Sequence, residues 1–305
     1  MASLVTVFGG SGFAGRNVVR ALAKAGYRIR VAVRYPNLAQ YLPPSGAVGQ
    51  IQLLKCNVLD QDAVTRACEG ADAVVNLVGI LYPAGGQGFE DVHVAAAGHI
   101  AMAAKACGAK TLVHLSSLGV AVDSESSYAS TKAEGERVLR EEFADTTILR
   151  SSLMAGPDDD FFNKFANLAR FLPFLPLIGG GHTKFQPVFV GDVAAAVLKC
   201  VEDPSTRGKT YELGGPNIFS FKEILEIVLR ETHRSRVLVP VPFFLASIKA
   251  MFLQFLPGKL LTPDQVTSLK TDNVVAPGAL TFRDLGITPE SIEAVLPSYL
   301  YRFRP

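Results

Sequence analysis

The amino-acid sequence predicts an α/β protein with a doubly wound parallel sheet, followed by a smaller C-terminal α/β lobe. The first observation is that short apolar strands alternate with helical stretches through the first half of the chain. The second is that these strands are Val-rich runs without polar alternation, which is typical of parallel strands buried on both faces. With 305 residues, 49% of them hydrophobic, the chain can bury a large core. Right-handed crossovers would bring the carboxyl ends of the strands to one edge, where ligands bind in such sheets.

The order of predicted elements divides the chain near its middle. Strands are predicted at 4–8, 29–33, 51–55, 73–77 and 111–115, with a sixth beginning at 147. Helices are predicted between them, ending near 25, at 62–68, at 89–107 and at 127–142. The alternation loosens after residue 151, so we expect a nucleotide-binding domain at 1–150 and a substrate or partner lobe at 151–305. The lobe should carry strands at 187–190 and 210–213, some of them returning to the main sheet, and loop residues at 173–181.

Composition excludes several classes of function. The formal net charge is +2, from 30 basic and 28 acidic residues, so we expect no nucleic-acid partner. The four cysteines and five histidines are scattered without metal-ligand spacing, so we expect no metal site. No signal peptide or apolar run long enough to span a bilayer is present, so we expect either a cytoplasmic protein or a mature chain whose presequence has been removed.

A glycine-rich segment follows the first predicted strand and precedes a helix. Its glycines at 9, 12 and 15 suit a tight turn, a close approach of the backbone to a pyrophosphate, and close packing of the helix on the sheet. The amino terminus of the helix would offer free N–H groups and a partial positive charge to phosphates. The context of strand, turn and helix predicts a Rossmann-type dinucleotide site. The predicted phosphate-loop residues are Gly9, Ser11, Gly12, Phe13, Gly15 and Arg16.

The end of the second strand distinguishes between cofactors. NAD sites usually carry an acidic residue there to hold the ribose hydroxyls, whereas this chain has Arg34. Arg16 and Arg34 could clamp a 2′-phosphate, so NADP(H) is favoured over NAD(H). Other residues after the third and fourth strands are expected to contact the dinucleotide, namely Asn57, Val58, Leu77, Val78 and Gly79.

A serine, a tyrosine and a lysine form a candidate catalytic set after the fifth strand. Ser116 and Ser117 end that strand, and the next helix carries Tyr128 and Lys132 on one face. A lysine ammonium beside a phenol lowers the pKa of the phenol, and the lysine can also bind the nicotinamide ribose. The phenol could then exchange a proton with a substrate oxygen while hydride moves at the nicotinamide.

These motifs resemble the short-chain dehydrogenase/reductase superfamily, in the extended branch related to sugar-nucleotide epimerases and dehydratases. The resemblance implies catalytic positions for Tyr128 and Lys132, with Ser117 the better candidate for the serine and Ser116 the second. About ten residues separate Ser117 from Tyr128, so the long active-site loop of the superfamily is absent.

The second half is similar to the nucleotide-binding accessory subunit of respiratory complex I (NADH:ubiquinone oxidoreductase) and its bacterial relatives. The similarity lies in segments 156–166, 186–193, 239–243, 261–266 and 284–287. It implies a tightly bound NADPH with a structural or regulatory role rather than turnover. It also implies other complex I subunits and the membrane surface as partners, on the matrix side in mitochondria or the cytoplasmic face of the inner membrane in bacteria.

Two alternatives stay open from the sequence. The chain could be such a structural subunit, or a working reductase, epimerase or dehydratase that uses Ser117, Tyr128 and Lys132 on an unidentified small molecule. The apolar segment 237–256 poses a second choice, because prolines confine any helix to 243–256, too short to span a bilayer. That helix is either an interfacial or partner-binding element or part of the core of the lobe.

Overall fold

The computed structural model describes residues 3–83, 85–254 and 261–305. Its strands are β1 Leu4–Phe8, β2 Arg28–Val33, β3 Ile51–Lys55, β4 Ala73–Asn76, β5 Thr111–Ser117, β6 Thr147–Ser151, β7 Met154–Ala155, β8 Phe174–Ile178, β9 Lys184–Phe185, β10 Val188–Phe189, β11 Thr210–Leu213, β12 Phe219–Ser220 and β13 Val237–Val241. Its α-helices are α1 Phe13–Lys24, α2 Gln61–Cys68, α3 Ala96–Ala106, α4 Ser127–Glu142, α5 Phe161–Phe171, α6 Val190–Glu202, α7 Phe221–Glu231, α8 Phe243–Leu253, α9 Pro263–Ser268, α10 Ile292–Val295 and α11 Pro297–Leu300.

Among the described residues, seven strands form one parallel sheet in the order β11-β6-β5-β4-β1-β2-β3. The predicted fold class is therefore confirmed. The strand order reverses between β1 and β4, and in such sheets the crevice outside the carboxyl ends at the reversal is where ligands bind.

Helices cover both faces of this sheet, as the buried strands require. Helices α1 and α6 pack on one face through residues such as Val18, Val19 and Val197, which are fully buried in a core shared with the strands. Helices α2, α3 and α4 cover the other face, where Ala-rich α3 approaches the sheet closely. The sheet and its two helical layers thus hold the loops at the carboxyl edge in fixed positions.

A second apolar core lies in the C-terminal half of the chain. It is built from α5, α7, α8, α9 and the last short helices, with Phe162, Phe221 and Val266 fully or almost fully buried. Strand β11, by contrast, pairs with β6 in the main sheet, as the sequence predicted for part of the lobe. Where the boundary between domain and lobe falls stays a prediction.

Three predicted elements differ from the structure. The loop predicted at 173–181 contains β8, which pairs in parallel with β13. Pro176 and Pro240 are tolerated because the pair has only two strands, so each proline can face its missing N–H away from its partner. The predicted helix at 89–107 begins with a π-helical turn, Glu90–Ala95, before α3. The predicted strand at 187–190 is shorter, because Val190 already begins α6.

The apolar segment predicted as a helix at 243–256 forms α8, whose last described residue is Leu253. Residues 255 and 256 lie outside the described residues. None of the helices in the described part of the chain is long and apolar enough to cross a membrane.

Candidate functional site

The phosphate loop joins β1 to α1 in the geometry that the glycines predict. Gly9 has φ +76°, a conformation that side chains rarely adopt, and its backbone lies against Leu77 after β4. The N–H of Gly12 donates to the carbonyl of Gly9 at 3.0 Å, which closes the turn into the helix. The loop is therefore a tight strand-to-helix turn next to the end of β4.

Two glycines of the loop are required by packing within the protein. A methyl group on Gly15 would lie 2.2 Å from the carbonyl oxygen of Gly9, a backbone atom that cannot yield. A methyl group on Gly10 would lie 2.5 Å from Cγ1 of the buried Val31. The requirement at Gly10 is one that the spacing of glycines at 9, 12 and 15 did not reveal.

Gly12 is different, and this difference points to a ligand. A methyl group there would approach one protein atom, the Gly9 carbonyl oxygen, at 3.3 Å. Packing within the described protein thus gives only a weak reason for glycine at this position. The space that Gly12 leaves open faces outward, where a pyrophosphate would need close access to the backbone.

The amino terminus of α1 is open to an anion. The helix begins at Phe13 after Gly12, without a side-chain cap and without an acidic residue in its first turn. In the described part of the chain, the N–H groups of Phe13, Ala14 and Gly15 have no hydrogen-bond acceptor. Free N–H groups and the positive end of the helix dipole suit a phosphate group.

Basic residues flank a cleft beside the phosphate loop. Arg34 follows β2 and donates through Nη1 to Oε1 of Gln87 at 2.7 Å. The cleft has a volume of about 240 Å³ and is lined by Ser11, Arg34, Tyr35, Leu38, Ala39 and Tyr41. Arg16 forms an ion pair with Asp158 at 2.8 Å. This acidic neighbour comes from the segment before α5, and its pairing with Arg16 could not be predicted from the sequence.

The other predicted cofactor residues lie at the same edge of the sheet. Asn57 is exposed after β3, and its side chain accepts the N–H of Leu59 at 3.2 Å. Val58 is buried in the core, so only its backbone could face a ligand. Leu77, Val78 and Gly79 follow β4, next to Gly9, and Gly79 is exposed.

The structure brings Ser117 and Tyr128 together, with their oxygen atoms 2.6 Å apart. Lys132 is almost fully buried one turn along α4, and its Nζ donates to the carbonyl of Leu115 at 2.9 Å. Ser116 points elsewhere: it is buried, and its Oγ has no partner in the described part of the chain. Of the two serines, the geometry favours Ser117 as the neighbour of the phenol.

The pKa of Tyr128 differs from the lowered value that its pairing with Lys132 predicts. Burial raises the pKa of Tyr128, and the nearby Asp264 carboxylate raises it further, against an opposing effect of the Ser117 hydrogen bond. Lys132 does not lower the pKa of Tyr128 as expected, and its ammonium donates to the Leu115 carbonyl. Burial lowers the pKa of Lys132 to about 8. In the protein alone, the phenol therefore keeps its proton at neutral pH.

Sequence reasoning missed His93, which contacts the tyrosine. Its ring lies edge-on to Tyr128 with centroids 5.4 Å apart, and its Nε2 accepts the N–H of Ile80 at 3.2 Å. Nδ1 then carries the proton and donates to Oγ1 of Thr131 at 3.0 Å. Burial lowers the pKa of His93 to about 3, so the ring stays neutral and ties the loop after β4 to α4.

Asp264 is a second residue that the sequence did not mark. Its carboxylate accepts the N–H of Ser127 at 2.7 Å and the Oγ–H of Ser126 at 2.9 Å, both at the amino terminus of α4. It also accepts the N–H of Tyr128 at 3.3 Å. Helix α9 therefore holds the helix that carries the tyrosine, and only the folded chain brings these residues together.

Comparison with known proteins agrees with this geometry. Residues 5–214 match the model of the NAD dependent epimerase/dehydratase family, and the chain belongs to that family. The structure of the dTDP-glucose 4,6-dehydratase DesIV from Streptomyces venezuelae, solved with NAD bound, is similar in fold. Its TM-score is 0.73 at 20% identity, covering 98% of this chain and 96% of the other.

Relatives that match almost the whole of this chain show where it belongs within the family. The NADH dehydrogenase [ubiquinone] 1 alpha subcomplex subunit 9 of Arabidopsis thaliana is 35% identical, over 99% of this chain and 78% of the relative. The 40 kDa subunit of NADH-ubiquinone oxidoreductase from Neurospora crassa is 33% identical, over 98% and 79%. Within the epimerase/dehydratase family, the chain thus belongs with these mitochondrial complex I subunits.

Proposed function

We propose that this chain holds NADPH as a structural subunit of respiratory NADH:ubiquinone oxidoreductase, or of a bacterial relative of that complex. The observation that carries the proposal is the phosphate loop, whose Gly12 leaves space on the ligand side rather than the protein side. Gly9, Gly12 and the first turn of α1 would hold the pyrophosphate, and Tyr128 and Lys132 would face the nicotinamide half. The relationship to complex I subunits along almost the whole chain supports assembly into that complex.

NADPH rather than NADH is supported by the two arginines and by the absence of an acidic side chain at the end of β2. Nη2 of Arg16 and of Arg34 makes no hydrogen bond with any described residue, so each could donate to a 2′-phosphate. Arg34→Asp should weaken NADPH binding at least tenfold while NADH binding changes little. Arg28→Asp, at the exposed start of the same strand, is the matched control. Equal losses for both cofactors in Arg34→Asp would refute the 2′-phosphate assignment.

Holding the cofactor without turnover is supported by the relationship to complex I subunits along almost the whole chain. The purified protein should retain NADPH, and its nicotinamide absorbance should persist when carbonyl or quinone compounds are added. Sustained oxidation of NADPH by any of these would contradict the structural role.

The second candidate function is an active reductase, epimerase or dehydratase. It is favoured by one observation, the direct hydrogen bond between Ser117 and Tyr128. The phenol could pass its proton to a substrate oxygen that Ser117 also holds. A rate that disappears in Tyr128→Phe, with NADPH affinity retained, would establish this function.

Assembly is tested by isolating native membranes of the source organism and purifying the chain through a tag under mild conditions. Recovery of other complex I subunits at equal stoichiometry is the expected result. Recovery of the chain alone, with complex I intact in the flow-through, would refute the assembly.

The membrane surface is proposed as a second contact, through one face of α8. Phe244 and Phe252 are 65% and 72% exposed, and Lys249 is the one charged residue in this helix. Leu245, Ile248 and Met251 extend the same apolar surface. Burial of Ala246 and Ala250 shows that the opposite face packs on the lobe, so the core alternative holds for that face alone.

Flotation with anionic liposomes tests this contact. Phe244→Ser with Phe252→Ser should lose most of the binding, since each ring contributes about 1.5–3 kcal/mol on burial. Ile218→Ser is the matched control, because Ile218 is also exposed but lies in a loop rather than in α8. If the double variant binds the liposomes as well as the unaltered protein does, the proposed membrane contact is wrong.

A further inference from the structure

Tyr41 lies at the rim of the cleft beside the phosphate loop and contacts that loop directly. Its Oη–H donates to the carbonyl oxygen of Ser11 at 2.6 Å. The neighbouring Ala39 and Leu42 are buried in the core at 1% and 0% exposure, so the segment that carries Tyr41 is firmly anchored. The tyrosine itself is half-exposed and lines the cleft with Arg34.

The guanidinium of Arg16 lies over the ring of Tyr41. The central carbon of that group lies 5.5 Å from the ring centroid, within the range of a cation–π contact. Arg16 has two further tethers: Nε donates to the Gly12 carbonyl at 3.4 Å, and Nη1 pairs with Asp158 at 2.8 Å. The three contacts fix the plane of the guanidinium and leave Nη2 without a partner among the described residues.

Without the ring, only the Gly12 carbonyl and the Asp158 carboxylate would hold the guanidinium of Arg16. Asp158 is about half-exposed and competes with any phosphate for the same cation. The aromatic face opposes that pull, because it attracts the guanidinium toward the side of the cleft that Arg34 lines. The position of Tyr41 thus determines where the second positive charge is presented.

We propose that Tyr41 is a positioning residue that sets the preference for a 2′-phosphorylated dinucleotide, by holding Arg16 at the cleft through its ring and the Ser11 peptide through its hydroxyl. The inference rests on the proposed binding of NADPH and deepens it. The two contacts have separable consequences. The ring acts on the 2′-phosphate, which only NADPH has, whereas the hydroxyl acts on the phosphate loop, which both cofactors share.

The test compares dissociation constants for NADPH and NADH in three variants, by titration of the nicotinamide fluorescence. Tyr41→Phe should weaken both cofactors equally, by a few-fold, because the ring stays. Tyr41→Leu should in addition lower the ratio of NADPH to NADH affinity by about tenfold. Tyr301→Leu is the control, since Tyr301 is an exposed tyrosine that does not line the cleft. A merely structural role would move both cofactors together and leave the ratio unchanged.

A double-mutant cycle with Arg16→Lys tests whether the effect passes through the arginine. Lysine lacks the planar group that stacks on the ring, so Tyr41→Leu should lower the ratio no further in that background. Additive losses, or an unchanged ratio in Tyr41→Leu while NADPH still binds, would overturn the proposal. If the proposed function is wrong, the unaltered protein would bind neither cofactor, or would bind NADPH and NADH equally well. In that case the inference about Tyr41 would be wrong too.

Discussion

Gly10 and Gly12, two positions apart in the phosphate loop, should have opposite effects when each is changed to alanine. Gly10→Ala would place a methyl group 2.5 Å from Val31 Cγ1 and 3.1 Å from Val19 Cγ2, both in the core between β1, β2 and α1. Overpacking of this kind costs roughly 1–3 kcal/mol, so the free energy of unfolding should fall by about that amount.

Gly12→Ala should leave the free energy of unfolding nearly unchanged and weaken the binding of the cofactor. Its backbone is extended, with φ −75° and ψ −178°, a conformation that alanine adopts without strain, and the Gly9 carbonyl oxygen would have to move by only a few tenths of an ångström. The effect on unfolding should stay within about 0.5 kcal/mol, because the loss of a favourable capping residue and the reduced freedom of the unfolded chain oppose each other. A methyl group in the space meant for the pyrophosphate should weaken NADPH binding by roughly 10- to 100-fold, which corresponds to about 1.4–2.7 kcal/mol.

The assay is urea unfolding of cofactor-free protein, followed by NADPH titration of each variant under native conditions. The thermal stabilisation that saturating NADPH gives the unaltered protein should be retained in Gly10→Ala and be much reduced in Gly12→Ala. If Gly12→Ala is destabilised as much as Gly10→Ala and still binds NADPH normally, the glycine serves protein packing, and the interpretation of the loop as a phosphate cradle is wrong.

Two further predictions concern the helix that carries the tyrosine. Asp264→Ala should lower the free energy of unfolding by about 1–2 kcal/mol, since it leaves the first turn of α4 without its carboxylate acceptor. Asp123→Ala, at an exposed loop position, is the control. Equal losses of stability in the two variants, measured by urea unfolding, would contradict the role of Asp264. His93→Leu should destabilise the protein at pH 7 by about 1–3 kcal/mol, since the Ile80 N–H loses its acceptor. Because the pKa of His93 falls to about 3 in the folded protein from an ordinary 6.5, unfolded chains alone take up the proton below pH 6.5. The advantage of the unaltered protein over His93→Leu should thus shrink by about 1.4 kcal/mol per pH unit as pH falls below 6.5, and a constant gap would show that the ring is not held neutral.

Features set by neighbours in the chain could be predicted from the sequence. The strands and the tight turn after β1 follow from apolar runs and from glycine spacing, both of which are local. The closeness of Ser117 and Tyr128 also follows, because a strand end and the next helix meet at the same edge of a parallel sheet.

Features set by distant parts of the chain could not be predicted. Asp264 reaches Ser127 across 137 positions, and Asp158 reaches Arg16 across 142. No periodicity marks such contacts, because each depends on how the C-terminal lobe packs on the sheet. The raised pKa of Tyr128 could not be predicted for a related reason. The tyrosine–lysine spacing indicates a shared helical face, but it does not show how deeply both groups are buried or where the ammonium is directed.

The pairing of β11 with β6 has a consequence for how the chain folds. The far edge of the main sheet is completed only when residues 210–213 arrive, and one face of α1 is covered only when α6 has formed. A fragment ending at residue 150 would therefore present an open strand edge and an uncovered valine surface, both of which favour aggregation. During synthesis, the first half of the chain should stay incomplete until most of the second half has emerged, and its dependence on contacts distant in sequence should make folding slow.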